Sequence, residues 1–340
     1  MAFCPTPAWK RFACLSILAG VTWYLTFFPQ QSFSPAEGAL AHNDPLTVLL
    51  WDWPFRQPLN ITGDICATLY HIEGCRLISN RSLYGQVDVV AFHHRELQGR
   101  KASLPKSKGP EQAWVWVSLE SPSYTADLSR WNSTFNWTMT YRQDSDIFVP
   151  YGELVPRPSD HLDIPQKTGL VCWVVSHYHR SQKRAQLYRN LSRHIKIDMY
   201  GKASQKPLCP ACLLQIISQY KFYLALENSV HRDYITEKLW RNALMAEAVP
   251  VVMGPPRSNY QQFLPADAFI HVDDFASPAE LASFLTTMNE SHYRSFFEWR
   301  QKYTVKLYTS WPERFCTICQ RYPSLPRGKV YPDLERWFRN

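Results

Sequence analysis

The chain has 340 residues, 45% hydrophobic and 19% charged. That is material for two ordinary domains or one large one. Thirteen Trp, eighteen Tyr and eighteen Phe serve either core packing or stacking on flat sugar faces. The net charge of +8 comes without a Lys/Arg-rich block, zinc-finger spacing or RNA-recognition signature, which argues against nucleic acid and leaves anionic small molecules, glycans and membranes as partners.

Lys10-Arg11 precede Phe12–Phe28, 17 residues without a charge. A bilayer span takes about 17–25 apolar residues, and thin secretory-pathway bilayers suit short spans. The basic pair puts the N-terminus in the cytosol and the rest in the lumen. The expected layout is a cytoplasmic tail over 1–11, a transmembrane signal anchor over 12–28 and a stem over 29–45. A cleaved signal peptide is the rival, but Ala39-Leu40-Ala41 lies far beyond the apolar run.

Asn60, Asn80, Asn132, Asn136, Asn190 and Asn289 each open an N-x-S/T glycosylation site; Asn80 and Asn289 are the best placed. The cysteines of the luminal part fall into short-range pairs, Cys66/Cys75, Cys209/Cys212 and Cys316/Cys319. In an oxidising lumen these read as disulfides; in the cytosol the two CxxC units would suggest zinc or redox chemistry. Cys172 lies in an apolar run and reads as a buried free thiol.

Strand-like runs follow at Leu46–Trp51, Val87–Phe92, Trp114–Ser118 and Ile147–Val149. A second set is Leu170–Val175, Ile195–Tyr200, Phe222–Leu226, Val249–Met253 and Phe269–Val272. Helical spacing marks Arg184–His194, Tyr234–Ala246, Pro278–Met288 and His292–Tyr303. This alternation predicts parallel α/β units. The proline-bearing stretch Arg157–Lys167 reads as a linker between two Rossmann-like halves, 46–160 and 161–340. Neither GxGxxG nor GxxxxGK[ST] is present, which counts against a dinucleotide enzyme or a P-loop ATPase.

The densest segment runs from Phe222 through Glu227-Asn228-Ser229 to Asp233-Tyr-Ile-Thr-Glu-Lys238. A strand enters a polar loop and then a helix, with Asp233 as the expected N-cap. Helix N-termini hold phosphate through free N–H groups, and Lys238 would add a point charge. Read alone, the segment is equally an ordinary capped helix with a surface Glu-Lys pair.

This segment resembles the signature of the α1,3-fucosyltransferases, F-Y-L-x-x-E-N-S…D-Y-I-T-E-K. Further stretches are similar to the same family: Trp51-Asp-Trp-Pro-Phe55, Phe92-His-His-Arg-Glu96, Trp114 through Pro122, Tyr141 through Pro150, Trp173-Val-Val-Ser176 and Val249 through Pro255. The resemblance covers about 46–340, and the short stem and Cys316–Pro326 tail resemble the leukocyte-type branch, which makes sialyl Lewis x glycans read by selectins.

The resemblance implies a GT-B fold, with the acceptor on the first half and GDP-fucose on the second. It implies an inverting transfer from GDP-β-L-fucose to O3 of GlcNAc in sialylated type 2 lactosamine. Glu120 of the L-E-S-P motif would be the general base. Arg184 and Lys238 would stabilise the diphosphate leaving group, and Glu237 would sit near the sugar. Tyr141, Ser176, Tyr223, Asn228 and Tyr234 match donor contacts. Gln57, His93, His94 and Arg95 match acceptor contacts, Arg95 standing where the family carries Arg for type 2 acceptors and Trp for α1,4 transfer. His177 departs from the family's Asn after V-V-S and adds a titratable group there. Read alone, Arg184 is solvated surface, Glu120 a turn carboxylate and the His pair structural.

No catalytic metal or cofactor is expected, and a homodimer is compatible with the sequence. The expected setting is the Golgi membrane, single-pass type II, with the catalytic part luminal. Three rivals stay open. Asp144-Ser-Asp146 is a DxD match, which would suit a divalent cation in a GT-A enzyme. The CxxC units invite a luminal oxidoreductase. A non-catalytic glycan-binding protein on this fold is the third.

Overall fold

A computed structural model of the chain describes residues 44–99, 104–125, 127–157 and 163–340. The expected tail, anchor and nearly all of the stem lie outside these residues. Among them no helix is long and apolar enough to cross a membrane.

The first half holds β1 (Leu46–Leu50), α1 (Ile65–Tyr70), β2 (Cys75–Ile78), β3 (Val89–His93), α2 (His94–Leu97), β4 (Ala113–Ser118), β5 (Trp137–Thr140) and β6 (Ile147–Phe148). They form one parallel sheet in the order β2-β1-β3-β4-β5-β6. A parallel sheet covered on both faces needs apolar residues at every position, and all of β3 and β4 is buried. The bulk of the core is aromatic, with Trp116 and Trp137 almost fully enclosed.

The chain leaves through β7 (Gly152–Pro156) and builds β8 (Gly169–Val174), α3 (Lys183–Leu191), β9 (Ile197–Tyr200), α4 (Cys212–Ile217), β10 (Tyr220–Leu226), α5 (Lys238–Met245, wound as a π-helix), β11 (Val249–Met253), α6 (Arg257–Tyr260) and β12 (Ile270–His271). This second sheet is also parallel, in the order β12-β11-β10-β8-β9. Helices α7 (Pro278–Thr287) and α8 (Glu290–Ser295) follow. Ser277 caps α7 by accepting from the Glu280 amide at 3.2 Å, with Pro278 at its first turn. Strand order reverses between β1 and β3 and between β8 and β10. Parallel sheets leave a crevice beyond the carboxyl ends of their strands at such points.

β13 (Tyr303–Leu307) returns antiparallel to β7. The helix expected over His292–Tyr303 is thus broken into α8, a short 3-10 turn at Glu298–Gln301 and the start of β13. Helices α9 (Trp311–Arg321) and α10 (Leu334–Arg339) then pack on the first sheet. Phe315, Ile318, Leu334 and Phe338 thus complete the core of the first half, although they lie far beyond the 157–167 stretch that separates the two sheets.

The disulfides correct two pairings. The bonds are Cys66–Cys316 and Cys75–Cys319, while Cys209–Cys212 is as expected. Cys316 and Cys319 are three apart, so they share one face of α9, and that face lies on α1 and β2. Cys172 is free and buried. The sequon residues Asn60, Asn80, Asn132, Asn190 and Asn289 are exposed. Asn136 is half-buried; its amide nitrogen, where a glycan would attach, donates to Lys329 O at 2.9 Å.

Candidate active site

The carboxyl ends of the two sheets open on one cleft of about 1000 Å³. The first half contributes the ends of β3 and β4, and the second the ends of β8 and β10. Of the residues singled out in the sequence, Glu120, Ser176, Arg184, Asn228, Tyr234, Glu237, Lys238, His93, His94 and Arg95 line it. Tyr141, Tyr223 and Gln57 do not.

Glu120 follows β4 and is exposed. Its loop is held from three sides. Tyr151 Oη donates to Leu119 O at 2.6 Å. Ser121 Oγ meets Ser229 Oγ at 2.6 Å, and Ser123 Oγ meets His231 Nε2 at 2.7 Å. The last two bonds join the L-E-S-P loop to the loop after β10, so the two cleft walls are tied to each other beside Glu120.

On the second wall Glu227 ends the apolar strand β10. It is 2% exposed. Its carboxylate accepts from the Thr236 amide at 2.8 Å and the Thr236 hydroxyl at 2.9 Å, and lies 3.0 Å from Lys238 Nζ. Lys238 Nζ also donates to Thr236 Oγ1 at 2.8 Å and to Glu237 Oε1 at 3.1 Å. Burial works to discharge Lys238, but Glu227 and Glu237 outweigh it and raise its pKa. Burial would raise Glu237 too, yet Lys238 beside it turns the net shift downward. Glu227 keeps a raised pKa because burial outweighs the Lys238 charge. Gly254, after β11, lets the chain pass this network: a Cβ there would meet Tyr260 Oη at 2.5 Å and Glu227 Cγ at 3.2 Å.

The start of this network differs from expectation. Asp233 does not cap the helix. It sits at φ 60°, buried, and accepts from Asn259 Nδ2 at 2.7 Å and the Gln143 amide at 3.0 Å. It thus ties the loop to the first half, and α5 begins five residues after it, behind Glu237.

Arg184, in the first turn of α3, is buried rather than solvated. Its guanidinium donates to Gln182 Oε1 at 3.1 Å and to the His177 carbonyl. Among the described residues no carboxylate pairs with it. Burial lowers its pKa, and a cation held this way favours an incoming anion. The departure at His177 leaves this bond intact, because the contact is through backbone.

His93 and His94, which line the cleft, are built into the first half. His94 Nδ1 accepts from Trp116 Nε1 at 3.1 Å, and its Nε2 lies 2.8 Å from Gln98 Nε2. Burial, then the charges of His93 and Arg130, push its pKa down to about 3. His93 pairs with Glu96 and packs edge-on against Trp311 at 4.9 Å. Arg95 is exposed, its guanidinium 4.8 Å over the Phe55 ring. Tyr141 lies behind Tyr234, ring to ring at 5.0 Å, and Tyr223 Oη accepts from Asn242, a cleft residue, at 3.1 Å. Gln57 is exposed outside the cleft.

Sequence reasoning did not single out Glu227, Tyr151, Phe55, Trp311 or Arg314 as site residues. Glu227 had a signal, a lone carboxylate closing an apolar strand. Trp311 and Arg314 had none, since nothing local announces that the chain end returns to the cleft. The DxD carboxylates serve other bonds: Asp144 binds Arg142 at 2.7 and 2.8 Å, and Asp146 accepts from the Thr138 amide at 2.9 Å and Tyr331 Oη at 2.8 Å.

A cleft between two parallel α/β halves, with fixed cations on one wall and a free carboxylate on the other, defines a glycosyltransferase-type site. Comparison with known proteins narrows the class. Residues 43–152 match the family model "Fucosyltransferase, N-terminal", and residues 164–337 match "Glycosyltransferase family 10 (fucosyltransferase) C-term". The chain belongs to glycosyltransferase family 10, the fucosyltransferases. It is 52% identical to alpha-(1,3)-fucosyltransferase 7 of Bos taurus over 98% of both chains, and 52% identical to that of Homo sapiens over 97% of both. It is 41% identical to 4-galactosyl-N-acetylglucosaminide 3-alpha-L-fucosyltransferase 9 of Rattus norvegicus, covering 96% of this chain and 94% of that one. In fold it resembles a crystal structure of an alpha1,3-fucosyltransferase with GDP-fucose, at TM-score 0.52, 16% identity and coverage of 90% and 95%. A crystal structure with GDP matches at TM-score 0.55, 16% identity and coverage of 88% and 95%.

Proposed function

We propose that this cleft moves L-fucose from GDP-β-L-fucose to O3 of GlcNAc in α2,3-sialylated type 2 lactosamine, with inversion, giving sialyl Lewis x type glycans. The observation that carries the reading is the opposition of the two walls. Arg184, buried without a carboxylate partner among the described residues, and Lys238, held charged by Glu227 and Glu237, face the exposed carboxylate of Glu120 across one cleft. The fucosyl C1–O bond to the diphosphate breaks and its electron pair leaves with GDP. The acceptor O3 forms the new bond to C1 from the opposite face, and its proton passes to Glu120. A positioned base of this kind contributes about 10²–10⁴-fold. The cations act where negative charge grows, on the departing diphosphate.

The reading needs no divalent cation. Support comes from Asp144 and Asp146, whose oxygens are taken by Arg142, Thr138 and Tyr331. A Golgi, type II, luminal setting is part of the proposal. It rests on the apolar run over 12–28, on three disulfides and on the exposed sequon residues.

The test is transfer by the full-length protein from GDP-fucose to neutral and α2,3-sialylated lactosamine, with and without chelator. Product from the sialylated acceptor alone, unchanged by chelator, is expected. Product from both acceptors would keep the reaction and reject the narrow acceptor choice. Loss of turnover in chelator would favour the DxD metal reading, and no product from either would reject the reaction.

A further inference from the structure

Two guanidiniums in the cleft are buried without a carboxylate partner among the described residues. Arg184 belongs to the wall already described. The other is Arg314, in the first turn of α9. It is 6% exposed and lines the cleft. Its Nη2 donates to the Tyr308 carbonyl, while its Nε is buried with no hydrogen-bond partner. The guanidinium lies between two rings, 5.1 Å from the centroid of Trp311 and 5.9 Å from that of Tyr151. Burying a cation forfeits its solvation, and among the described residues no carboxylate bonds to this guanidinium; Glu313, which pairs with Lys306 at 3.8 Å, attracts it only at longer range.

We propose that Arg314 is a specificity-determining residue of the acceptor side, holding a carboxylate carried by the acceptor glycan. Its surroundings separate it from the diphosphate site. Arg184 and Lys238 stand on the second half, whereas Arg314 stands with elements of the first. Beside it Trp311 and Phe55 are 6.1 Å apart, and Phe55 is 42% exposed in the cleft. Flat apolar faces of this kind stack on pyranose rings, and a planar guanidinium matches a carboxylate bidentately. Phe55 and Arg56 both sit at φ 57°; such positions persist only where the surrounding structure over-determines them. Burial pushes the Arg314 pKa down to about 10, so it remains charged at neutral pH.

This inference rests on the proposed transfer to a glycan hydroxyl, and the test separates the two. The full-length protein is given GDP-fucose and three lactosamine acceptors: one ending in a sialic acid, the same with its carboxylate converted to a primary amide, and a neutral one. The native protein should prefer the acid to the amide by about tenfold in kcat/KM, the scale of one charged contact. Arg314→Gln should erase that ratio by raising KM for the acid alone, leaving the KM for the amide and the affinity for GDP unchanged. Arg314→Lys should keep part of the preference. Equal use of acid and amide by the native protein overturns the inference whatever the variants do. A loss of GDP affinity in Arg314→Gln moves the residue to the diphosphate, and an equal loss on all acceptors makes it structural; both overturn it. Transfer to none of the three, with GDP still bound, overturns the reaction itself.

Discussion

Among single residues, Glu227 sets the rest of the donor wall. Its two oxygens fasten Thr236 and Lys238 at once, so the Lys238 charge, which in the proposed transfer meets the diphosphate, is placed by a carboxylate that is itself out of reach. Glu227→Gln keeps the size and loses the charge. The expected result is a fall in kcat of about tenfold to a hundredfold, the scale of a charged hydrogen bond, measured with GDP affinity as the control for folding. An unchanged kcat would remove Glu227 from the machinery. His94 gives a different prediction. Its imidazole has an ordinary value of 6.5 and is held at about 3. Between those values the unfolded chain binds a proton that the folded chain refuses. Its contribution is therefore complete above pH 6.5 and is lost as pH falls toward 3, at up to roughly 1.4 kcal/mol per pH unit. The Tm should drop through this window, and His94→Gln should flatten the slope; an equally steep variant would exclude His94 as the source.

At the level of elements, α9 is the part that binds distant sequence together. Its cysteines close loops of 250 and 244 residues. In the chain-entropy picture the first closure is worth roughly 5 kcal/mol, and the second, closing nearly the same loop, adds less. Cys316→Ser with Cys319→Ser should therefore lower Tm sharply, whereas Cys209→Ser with Cys212→Ser, a closure of three residues, should do so far less. Equal losses would contradict this weighting. The legibility of the sequence follows the same division. Strands β1, β3, β4, β8, β10 and β11 were readable because a buried parallel strand is an unbroken apolar run. The loop from Glu227 to Lys238 was readable because its whole logic is local. The pairing of Cys66 and Cys75 was misread because nearness along the chain stood in for nearness in space. β5 (WTMT) and β7 (GELVP) carry no unbroken apolar run, and β13 begins within a stretch whose apolar spacing imitates a helix. Arg184 looked like surface because its neighbours Arg180, Lys183 and Arg189 are basic; only the packing of α3 shows that it turns inward.

Across the whole molecule, the first half is built from both ends of the described chain. Tyr331, Leu334 and Phe338 are 5%, 0% and 1% exposed against strands made some two hundred residues earlier. Each large apolar side chain buried in this way is worth about 1.5–3 kcal/mol. Deleting residues 331–340 should therefore leave the first half open to protease while the second sheet, whose core lacks them, resists. Protection of both halves after the deletion would contradict this division.

That arrangement also orders events in time. A ribosome delivers β1 to β6 long before α9 and α10, so the first sheet emerges with part of its covering missing. The second sheet, β8 to β12, has all its strands in hand while the first still waits. Translation thus delivers a half-finished first wall of the cleft beside a second wall that can already close, and Cys66 and Cys75 stay without their eventual partners until Cys316 and Cys319 arrive. During that interval the Cys66 and Cys75 thiols are open to other partners, and a wrong bond formed then has to be undone by thiol–disulfide exchange before the native pairs can close.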